Sequence, residues 1–500
     1  MKIAGLDIGT TGCKCTVFDE QGKYLGKAYR DYAVKRSTGG HEIDITALLD
    51  GVYECIREMA NTYPDIAGIG VTSFGETFIC TDENGTPLHT AMLYTDPRGK
   101  QQCDRLCEKI GEKKIAQITG LRPHQMYSIP KIMWLKEEMP EIYKKTKHIF
   151  LIGDYVVYHL TGEAQIDYSL ATRTMAFDIR NLCWSEEIFK AADIDMSLMS
   201  KLVPPGTPVG YVTDKTAEKT GLNKNTKIIF ISHDQVAAAA GAGAFDSSVA
   251  VDGAGTVECL IPIYDEIPDM EAMYQGHFAV VPYIIPGKYV AYAFSYTGGA
   301  VLQWCVDSLA KKEKEIAALL NITPNEYLEK CYADTYGDNP INSILVLPHF
   351  AGAATPYMDI GSRGAILGLT TDTSVAEIYR GCMEGVVYEM YLNMQALKPS
   401  GIRFKKIHAT GGGAHSPVWM QMKADVINLP ITALKTVDAG TVGSAMLTGI
   451  AIGLFKDIED AAAHMVEETV TYYPRKEMHD KYMLNFKRYS KLYEAVRPLV

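Results

Sequence analysis

Short apolar runs that end in glycine and threonine recur along the chain and predict strands that enter tight turns. The first run, residues 3–6, leads through Asp7 into Gly-Thr-Thr-Gly, and an apolar stretch over 16–18 follows. A second run, residues 249–251, enters Asp-Gly-Ala-Gly-Thr about half a chain later. Each pattern is typical of a β-hairpin. Two similar hairpins at the start of two halves predict a duplicated α/β domain.

Longer segments with helical or strand periodicity alternate between these hairpins. The pattern predicts a strand over 66–72, helices over 132–138 and 375–394, and a small-residue helix over 238–244. Such alternation is typical of a mixed α/β architecture. A last helix, from about residue 475, is expected to pack back across the boundary between the halves.

The chain length predicts more than one domain. The sequence has 500 residues, which exceeds what a single hydrophobic core usually supports. The turn-like Asp-Ser-Ser after Phe245 is a suitable boundary. We therefore expect one domain over 1–246 and a second over 247–500.

Composition and charge exclude several classes of protein. There are 49 Lys and Arg against 60 Asp and Glu, a formal charge of −11, so no basic surface for nucleic acid is expected. No apolar run reaches the length of a membrane span, and the chain starts directly in a predicted strand. Its 11 cysteines are scattered, and Cys13 and Cys15 have no second pair at zinc spacing. We expect reduced thiols and a cytoplasmic protein without a membrane partner.

The first hairpin has the residue types of a phosphate site. Glycines let a backbone approach an anion closely, and amides and hydroxyls donate to its oxygens. Gly9, Thr10 and Thr11 supply these groups, and Lys14 adds a positive charge. Asp7 could hold magnesium through water. The alternative is an ordinary Asp/Gly hairpin turn. A Walker P-loop is absent from the sequence, so any nucleotide would be held differently.

Asp234 is the candidate catalytic carboxylate. It lies in the otherwise uncharged segment Ser-His-Asp-Gln-Val-Ala-Ala, where burial would raise its pKa and make it a better base. The alternative is an N-cap residue, since Asp is favoured before an alanine-rich helix. The residues alone leave these two interpretations nearly even. The neighbouring His233 is placed outside catalysis, because a lone histidine is more often a structural residue.

Several separated motifs together resemble the FGGY carbohydrate kinases of the actin-like ATPase superfamily. They occur in the family's order along nearly the whole chain, and they are Asp7–Gly12 with Lys14, residues 68–77 with 94–98, Asp234-Gln235, Gly255-Thr256, Gly298-Gly299, residues 356–359, 364–369 and 378–385, and Ala409–Ala414. The resemblance implies two actin-like, ribonuclease H-like domains with a catalytic cleft between them. It also implies ATP-dependent phosphorylation of a sugar.

The resemblance implies a role for particular residues. Asp234 becomes the general base, and Asp7 and Asp234 lie near Mg²⁺. The expected sugar-binding residues are Glu76, Asp96, Tyr127 and Gln235. The expected ATP-binding residues are Gly9, Thr10, Thr11, Lys14, Gly255, Thr256, Gly298, Gly411, Gly412 and Gly413. Family habit also suggests a homodimer.

Departures from the family pattern bear on the acceptor. Glycerol kinases carry Arg-Glu where this chain has Gly75-Glu76, and xylulokinases typically carry Gln-Met-His at Phe74-Gly75-Glu76. Tyr94 replaces the usual tryptophan. Glycerol is therefore not the expected acceptor, and Gly75 leaves room for a larger one. We expect a ketose, with a pentulose such as xylulose as the first candidate, or a related polyol or sugar acid.

Two other functions are compatible with the fold. One is a non-catalytic, ATP-gated sugar-binding or regulatory protein, because fold alone does not establish activity. The retention of Asp7, Lys14, Asp234 and the glycine loops argues against it. The other is an acetate-type kinase, which would favour Arg or Lys in the acceptor pocket over Glu76 and Asp96.

Overall fold

The computed structural model describes residues 1–37, 39–436 and 438–500. The strands of the first half are β1 (Lys2–Ile8), β2 (Gly12–Phe18), β3 (Tyr24–Asp31), β4 (Val34–Ser37), β5 (Gly40–Ile43), β6 (Ile66–Ser73), β7 (Phe78–Thr81), β8 (Ala91–Met92), β9 (His148–Leu151), β10 (Gln165–Asp167), β11 (Phe177–Asp178), β12 (Cys183–Trp184), β13 (Lys201–Val203), β14 (Thr207–Tyr211) and β15 (Lys227–His233). Its helices are α1 (Ile45–Thr62), α2 (Lys100–Ile110), α3 (Glu112–Thr119), α4 (Ser128–Glu138), α5 (Pro140–Lys145), α6 (Ile152–Thr161), α7 (Tyr168–Thr172), α8 (Glu186–Ala192), α9 (Asp214–Thr220) and α10 (Asp234–Gly241).

The second half continues the same alternation. Its strands are β16 (Val249–Ala254), β17 (Glu258–Tyr264), β18 (Ala279–Pro282), β19 (Tyr289–Ser295), β20 (Leu345–Leu347), β21 (Ala365–Leu367), β22 (Lys406–Thr410), β23 (Ile431–Leu434) and β24 (Glu468–Tyr472). Its helices are α11 (Met270–Gln275), α12 (Gly299–Ser308), α13 (Lys311–Leu319), α14 (Pro324–Tyr336), α15 (Val375–Leu397), α16 (Pro417–Ile427), α17 (Ala439–Ala451), α18 (Ile458–Met465), α19 (Lys476–Tyr489) and α20 (Leu492–Val496).

The main sheets of the two halves share one topology, which confirms the predicted duplication. The first sheet runs β3-β2-β1-β6-β15-β14 and the second β18-β19-β17-β16-β22-β23-β24. In each, a hairpin (β1–β2 or β16–β17) is antiparallel, and its first strand pairs in parallel with the next one inward. Loops that follow parallel strands gather at the carboxyl ends of those strands. Each glycine turn follows such a strand, β1 or β16, so both turns lie where ligands bind in α/β proteins.

The two halves meet through small-residue helices. A Cβ at Gly443 of α17 would lie 2.0 Å from the Ala237 carbonyl oxygen of α10, and one at Gly241 would lie 2.0 Å from the Ala439 carbonyl oxygen. Both distances are far below van der Waals contact, so only glycine permits this approach. The small-residue helix predicted over 238–244 is α10, which begins earlier, at Asp234, and already ends at Gly241.

Helix α17 comes from the second half of the chain but packs on the first sheet. The Ser444 hydroxyl donates to the Gly70 carbonyl at 2.8 Å, and a Cβ at Gly5 would lie 2.2 Å from the Thr441 carbonyl oxygen. These contacts place the start of α17 next to the first hairpin.

The local predictions have mixed outcomes. The strand over 66–72 and the helices over 132–138 and 375–394 are confirmed as β6, α4 and α15. The prediction that the last helix crosses between the halves was wrong. Helix α19 packs on α15 and α16 of the second half, where Arg475 at its start pairs with Asp425 at 2.7 Å. All eleven cysteines are free thiols, as expected.

Asp154 of α6 gives the fold a pH-dependent stability. Its carboxyl accepts from the Ser200 hydroxyl at 2.6 Å, and burial raises its pKa from 3.8 to about 8. Between these values the folded protein holds a proton that the unfolded chain has released, so stability falls as the pH rises. We expect wild type to lose stability relative to Asp154→Asn from about pH 4 to 8, by at most about 1.4 kcal/mol per pH unit.

Urea unfolding of both proteins across this pH range measures the difference. Asp214→Asn is the matched control, because the Asp214 side chain is 80% exposed. A constant difference between wild type and Asp154→Asn over pH 4–8 would contradict the assignment.

Candidate active site

Asp7 and Lys14 face each other across the first hairpin. They are register partners on β1 and β2, and Lys14 Nζ lies 3.1 Å from Asp7 Oδ2. The turn closes where the Gly9 N–H donates to the Gly12 carbonyl at 2.9 Å. Burial raises the pKa of Asp7, and Lys14 offsets this only in part. The partly exposed tip consists of Gly9, Thr10 and Thr11.

Lys14 has a second carboxylate partner that sequence reasoning missed. Asp438 Oδ1 lies 2.6 Å from Lys14 Nζ, and Asp438 directly precedes α17. Burial lowers the pKa of Lys14, but the charges of Asp7 and Asp438 outweigh it and raise the pKa above its ordinary value. Lys14 is therefore fully charged and held beside the hairpin. The signal in the sequence was an aspartate before a run of small residues.

A cavity of about 880 Å³ lies in the second half, and most of the predicted nucleotide segments border it. Its lining includes Gly255, Thr256, Gly299, Gly412, Gly413 and Trp419. Gly298 stands behind the second hairpin, where its N–H donates to the Thr256 carbonyl at 2.9 Å. Gly411 has φ +91°, and a Cβ there would lie 2.6 Å from the Ala254 carbonyl oxygen. This approach requires glycine.

The cavity also has polar walls that sequence reasoning missed. Gln303 and Glu329 line it, and Glu329 accepts from the Ser416 hydroxyl at 2.9 Å. Burial raises the pKa of Glu329 above its ordinary value. Both residues lie on helices without a recognisable motif.

A buried charged triad supports the second hairpin. Lys423 Nζ lies 2.6 Å from Asp252 Oδ2 and also contacts Glu258. The ammonium lies 4.7 Å from the centre of the Trp419 ring, which borders the cavity. Burial, followed by the charge of Asp252, raises the pKa of Glu258 well above its ordinary value. Ionisation of Glu258 is therefore disfavoured beside the Lys423–Asp252 ion pair.

Asp234 lies where β15 passes into α10. It is the first residue of α10, and His233 holds the N-cap position, so Asp234 is not an N-cap residue. Its Oδ1 accepts the Gln235 N–H at 2.6 Å and lies 3.2 Å from His233 Nε2. Burial and then the charge of Asp7 raise the pKa of Asp234 to about 8. Its Oδ2 has no hydrogen-bond partner within the described part of the chain.

Glu76 is joined to an arginine that sequence reasoning missed. Arg173 Nε donates to Glu76 Oε1 at 2.7 Å, and both side chains are almost fully buried. The guanidinium lies 5.3 Å from the Tyr127 ring centre and 5.6 Å from that of Tyr292. Arg173 Nη1 is buried and has no partner among the described residues. Such a donor costs free energy unless a ligand or water satisfies it.

Gly75 makes room for this arginine. A Cβ at Gly75 would lie 2.6 Å from Arg173 Cγ and 3.2 Å from the His233 ring. The small residue predicted to admit a larger sugar therefore admits the Arg173 side chain. An arginine therefore lies beside Glu76 in the folded protein, although the residue that precedes Glu76 in the sequence is a glycine.

Asp96 is largely occupied within the protein. Arg98 Nε donates to its Oδ1 at 2.8 Å, and the His41 N–H donates to its Oδ2 at 2.7 Å. Arg98 in turn pairs with Glu42 at 2.7 Å. The pKa of Asp96 is lowered, because hydrogen bonds from Arg98 outweigh burial. Few lone pairs of the Asp96 carboxylate are therefore left for a ligand.

The carboxylates of Asp7 and Asp234 have the chemistry of magnesium ligands. The charge of Asp7 raises the pKa of Asp234, and Lys14 pairs with Asp7 at 3.1 Å. Magnesium is usually held by one or two carboxylates, phosphate oxygens and water. No cluster of three or more His, Cys, Asp or Glu side chains suited to a metal occurs in the described residues.

No helix in the described ranges combines the length and hydropathy needed to cross a bilayer.

Known proteins resemble the chain over almost its whole length. A xylulose kinase of Bacillus subtilis (strain 168) is 26% identical, over 99% of this chain and 97% of the relative. A glycerol kinase of Carboxydothermus hydrogenoformans is 29% identical, over 92% of this chain and 91% of the relative. The crystal structure of ligand-bound xylulose kinase from Lactobacillus acidophilus superposes with a TM-score of 0.88 at 24% identity, covering 99% of this chain and 98% of that one. This likeness confirms the two-domain α/β fold.

Family descriptions match both halves. The N-terminal domain of the FGGY family of carbohydrate kinases matches residues 2–241. The C-terminal domain of the same family matches residues 254–452. The two matches contain the hairpin turns, Asp234 and the glycine segments of the cavity. This chain therefore belongs to the FGGY family of carbohydrate kinases and is a sugar-phosphorylating enzyme.

Proposed function

We propose that this kinase transfers the γ-phosphoryl group of ATP to a terminal hydroxyl of a ketose, with a pentulose such as xylulose as the first candidate. A related polyol or sugar acid is the wider class. The observation that carries the proposal is the position of Asp234. Its pKa is raised by burial and by the charges of both Asp7, in the phosphate hairpin, and Glu76, in the acceptor pocket. The charges of both groups of residues therefore act on this one carboxylate.

Asp234 acts as the general base in this proposal. Its free Oδ2 accepts the proton of the acceptor hydroxyl as that oxygen attacks the γ-phosphorus, and the bond to the ADP oxygen breaks. Lys14 and the hairpin tips, Gly9–Thr11 and Gly255–Thr256, donate to the β- and γ-phosphate oxygens. Adenosine occupies the cavity beside Gly411–Gly413 and Gly298. Asp7 and Asp234 would hold Mg²⁺, which supplies charge neutralisation for the phosphates.

We propose that the acceptor is bound by Glu76, Tyr127 and Gln235, which the sequence analysis named, together with Arg173. We propose that Arg173 Nη1 donates to an acceptor oxygen, which would satisfy that buried donor. Glu76 fixes the guanidinium, and the rings of Tyr127 and Tyr292 hold its faces. Asp96 would contribute through the ion pair with Arg98.

We also propose a domain closure, an oligomeric state and a cellular compartment for this kinase. Residues 1–246 and 247–500 would close over the substrates and exclude water, which limits wasteful ATP hydrolysis. The chain would act as a homodimer in the cytoplasm, where its eleven free thiols suit a reducing compartment. The non-catalytic alternative has no support in the relatives, which are named as kinases.

The decisive experiment measures ADP release by the purified protein with Mg-ATP across pentuloses, hexuloses, polyols and aldonates. A sugar-dependent rate well above a no-sugar blank identifies the acceptor class. A rate equal to the blank for the whole panel would contradict the proposed acceptor classes.

Lys14→Ala tests the first phosphate site. Loss of one charged hydrogen bond to phosphate is expected to lower kcat/KM for ATP about 10- to 100-fold. Lys27→Ala is the matched control, because Lys27 also approaches Asp438, at 3.8 Å, but is 42% exposed. Steady-state kinetics with varied ATP give the result. Unchanged values in Lys14→Ala would remove this lysine from the phosphate site.

A further inference from the structure

One peptide unit directly before Asp234 is held by side-chain hydroxyls at both of its polar groups. The Thr72 hydroxyl donates to the Ser232 carbonyl at 2.6 Å. The His233 N–H donates to the Ser169 hydroxyl at 2.8 Å. This carbonyl and this N–H belong to the same peptide bond and point in opposite directions. Thr72 and Ser169 therefore hold the unit from two sides, and we call them the hydroxyl clamp.

The hydroxyl clamp lies where the strand ladder is irregular. β15 pairs in parallel with β6, and the register shifts between Phe230 and Ser232. Such a shift disturbs the regular hydrogen bonding of a strand and bends the chain. Thr72 and Ser169 are both completely buried, so water does not compete for their hydrogen bonds. Side chains thus help to fix the course of the backbone into Asp234.

Ser169 is itself held by a helix cap. Asp167 is the N-cap residue of α7, and its Oδ2 accepts from the Ser169 hydroxyl at 2.6 Å and from the Ser169 N–H at 2.7 Å. The Leu170 N–H donates to Asp167 Oδ1 at 3.0 Å. Because the one hydroxyl hydrogen is directed at Asp167, the Ser169 oxygen presents a lone pair to the His233 N–H. Each hydrogen bond from Asp167 to His233 therefore has a defined donor and acceptor.

The hydroxyl clamp connects Asp234 to elements that carry other residues of the site. Thr72 is the register partner of Asp7, in the first hairpin. Ser169 lies on α7, which ends directly before Arg173, the arginine proposed to bind the acceptor. A displacement of either element would therefore be transmitted to the peptide that precedes Asp234.

We infer that Thr72 and Ser169 are positioning residues for catalysis: their hydroxyls orient the peptide between Ser232 and His233 and thereby set the direction of the Asp234 carboxylate. The inference rests on the proposed role of Asp234. Both hydroxyls act through the backbone.

The first test measures the steady-state kinetics of variants that lack one hydroxyl. Thr72→Val nearly keeps the shape of the side chain, and Ser169→Ala removes a single oxygen. In each we expect kcat to fall about tenfold, with KM for ATP and acceptor changed less than about twofold, because a misdirected base slows the chemical step more than binding. Thr72→Ser retains the hydroxyl and should keep about half of the wild-type kcat or more.

The matched control is Thr226→Val, at the other end of the same pair of strands. The Thr226 hydroxyl is also buried and donates to the Ile66 carbonyl of β6 at 2.8 Å. Its loss should lower the midpoint of urea unfolding as Thr72→Val does but leave kcat unchanged. An equal loss of kcat in Thr72→Val and Thr226→Val would overturn the inference, because the loss would then follow from stability alone. Wild-type kcat in Thr72→Val and Ser169→Ala would overturn it as well.

A second measurement does not depend on turnover. Protein labelled with ¹⁵N-histidine gives an NMR signal for the backbone amide of each of its 12 histidines, and the His233 signal is the one missing from His233→Gln. We expect the His233 N–H to exchange with deuterated water at least about tenfold faster in Ser169→Ala than in wild type, while exchange at His408 on β22 is unchanged. An unchanged rate at His233 overturns the inference. If no acceptor stimulates ADP release, the proposed function fails while the exchange rate still tests the hydroxyl clamp.

Discussion

Asp234→Asn is expected to lower kcat about 10³-fold, since a positioned general base contributes roughly 10²–10⁴-fold. The amide has nearly the shape of the carboxylate but cannot take the proton of the acceptor hydroxyl. Its oxygen can still accept from the Gln235 N–H, which bonds to Oδ1 at 2.6 Å in wild type. Binding should therefore persist, with KM for ATP and acceptor within about threefold of wild type. Steady-state ADP release with the best acceptor of the panel measures both.

Asp246→Asn is the matched control for this substitution. It removes an aspartate shortly after the same helix, whose carboxylate accepts the Ser248 N–H at 2.7 Å. Its kcat should equal that of wild type. An Asp234→Asn enzyme that keeps more than a tenth of wild-type kcat would show that another group accepts the proton.

Lys423→Met is expected to destabilise the protein by about 3–5 kcal/mol, the usual cost of removing one partner of a buried ion pair. Lys423 and Asp252 are fully buried and 2.6 Å apart. Methionine matches the length of the lysine stem but leaves Asp252 as an unpaired buried charge. Adding Asp252→Asn to Lys423→Met should recover most of the loss, because the charge then disappears. Urea unfolding gives the free energies.

Lys456→Met controls for the loss of a lysine as such. Lys456 is 87% exposed, with its carboxylate partner at 3.5 Å, so its replacement should not change the free energy of unfolding measurably. If Lys423→Met were as stable as wild type, or if Asp252→Asn failed to restore it, the triad would not be the support of the second hairpin.

Local chemistry and the repeat of two hairpins made the fold and family predictable. A strand, its glycine turn and the returning strand are adjacent in the sequence, so each hairpin can be recognised from its sequence pattern alone. The resemblance then added the expected roles of Asp234 and the glycine segment 411–413. The candidate site residues in the hairpins, at Asp234 and in the glycine segments were chosen from such motifs, and their chemical roles stay predictions for the variants above.

The residues that sequence reasoning missed act through distant partners. Arg173 is 97 residues from Glu76, and Lys423 is 171 residues from Asp252. Neither pair leaves a local pattern, because a lone arginine or lysine in a helix or loop is indistinguishable from a surface charge. The close packing of α10 and α17 at Gly443 likewise places Asp438 next to Lys14, far from it in the sequence.

The sequence by itself therefore determined the duplicated α/β fold and the family, and it predicted a phosphate site at each hairpin, since backbone turns and short motifs are specified by adjacent residues. Only the tertiary structure decided which charges are paired, why Gly75 must be small, and that Thr72 and Ser169 hold the peptide before Asp234 from two sides. These features depend on how two sheets and the helices between them pack, and packing joins residues whose separation along the chain carries no signal.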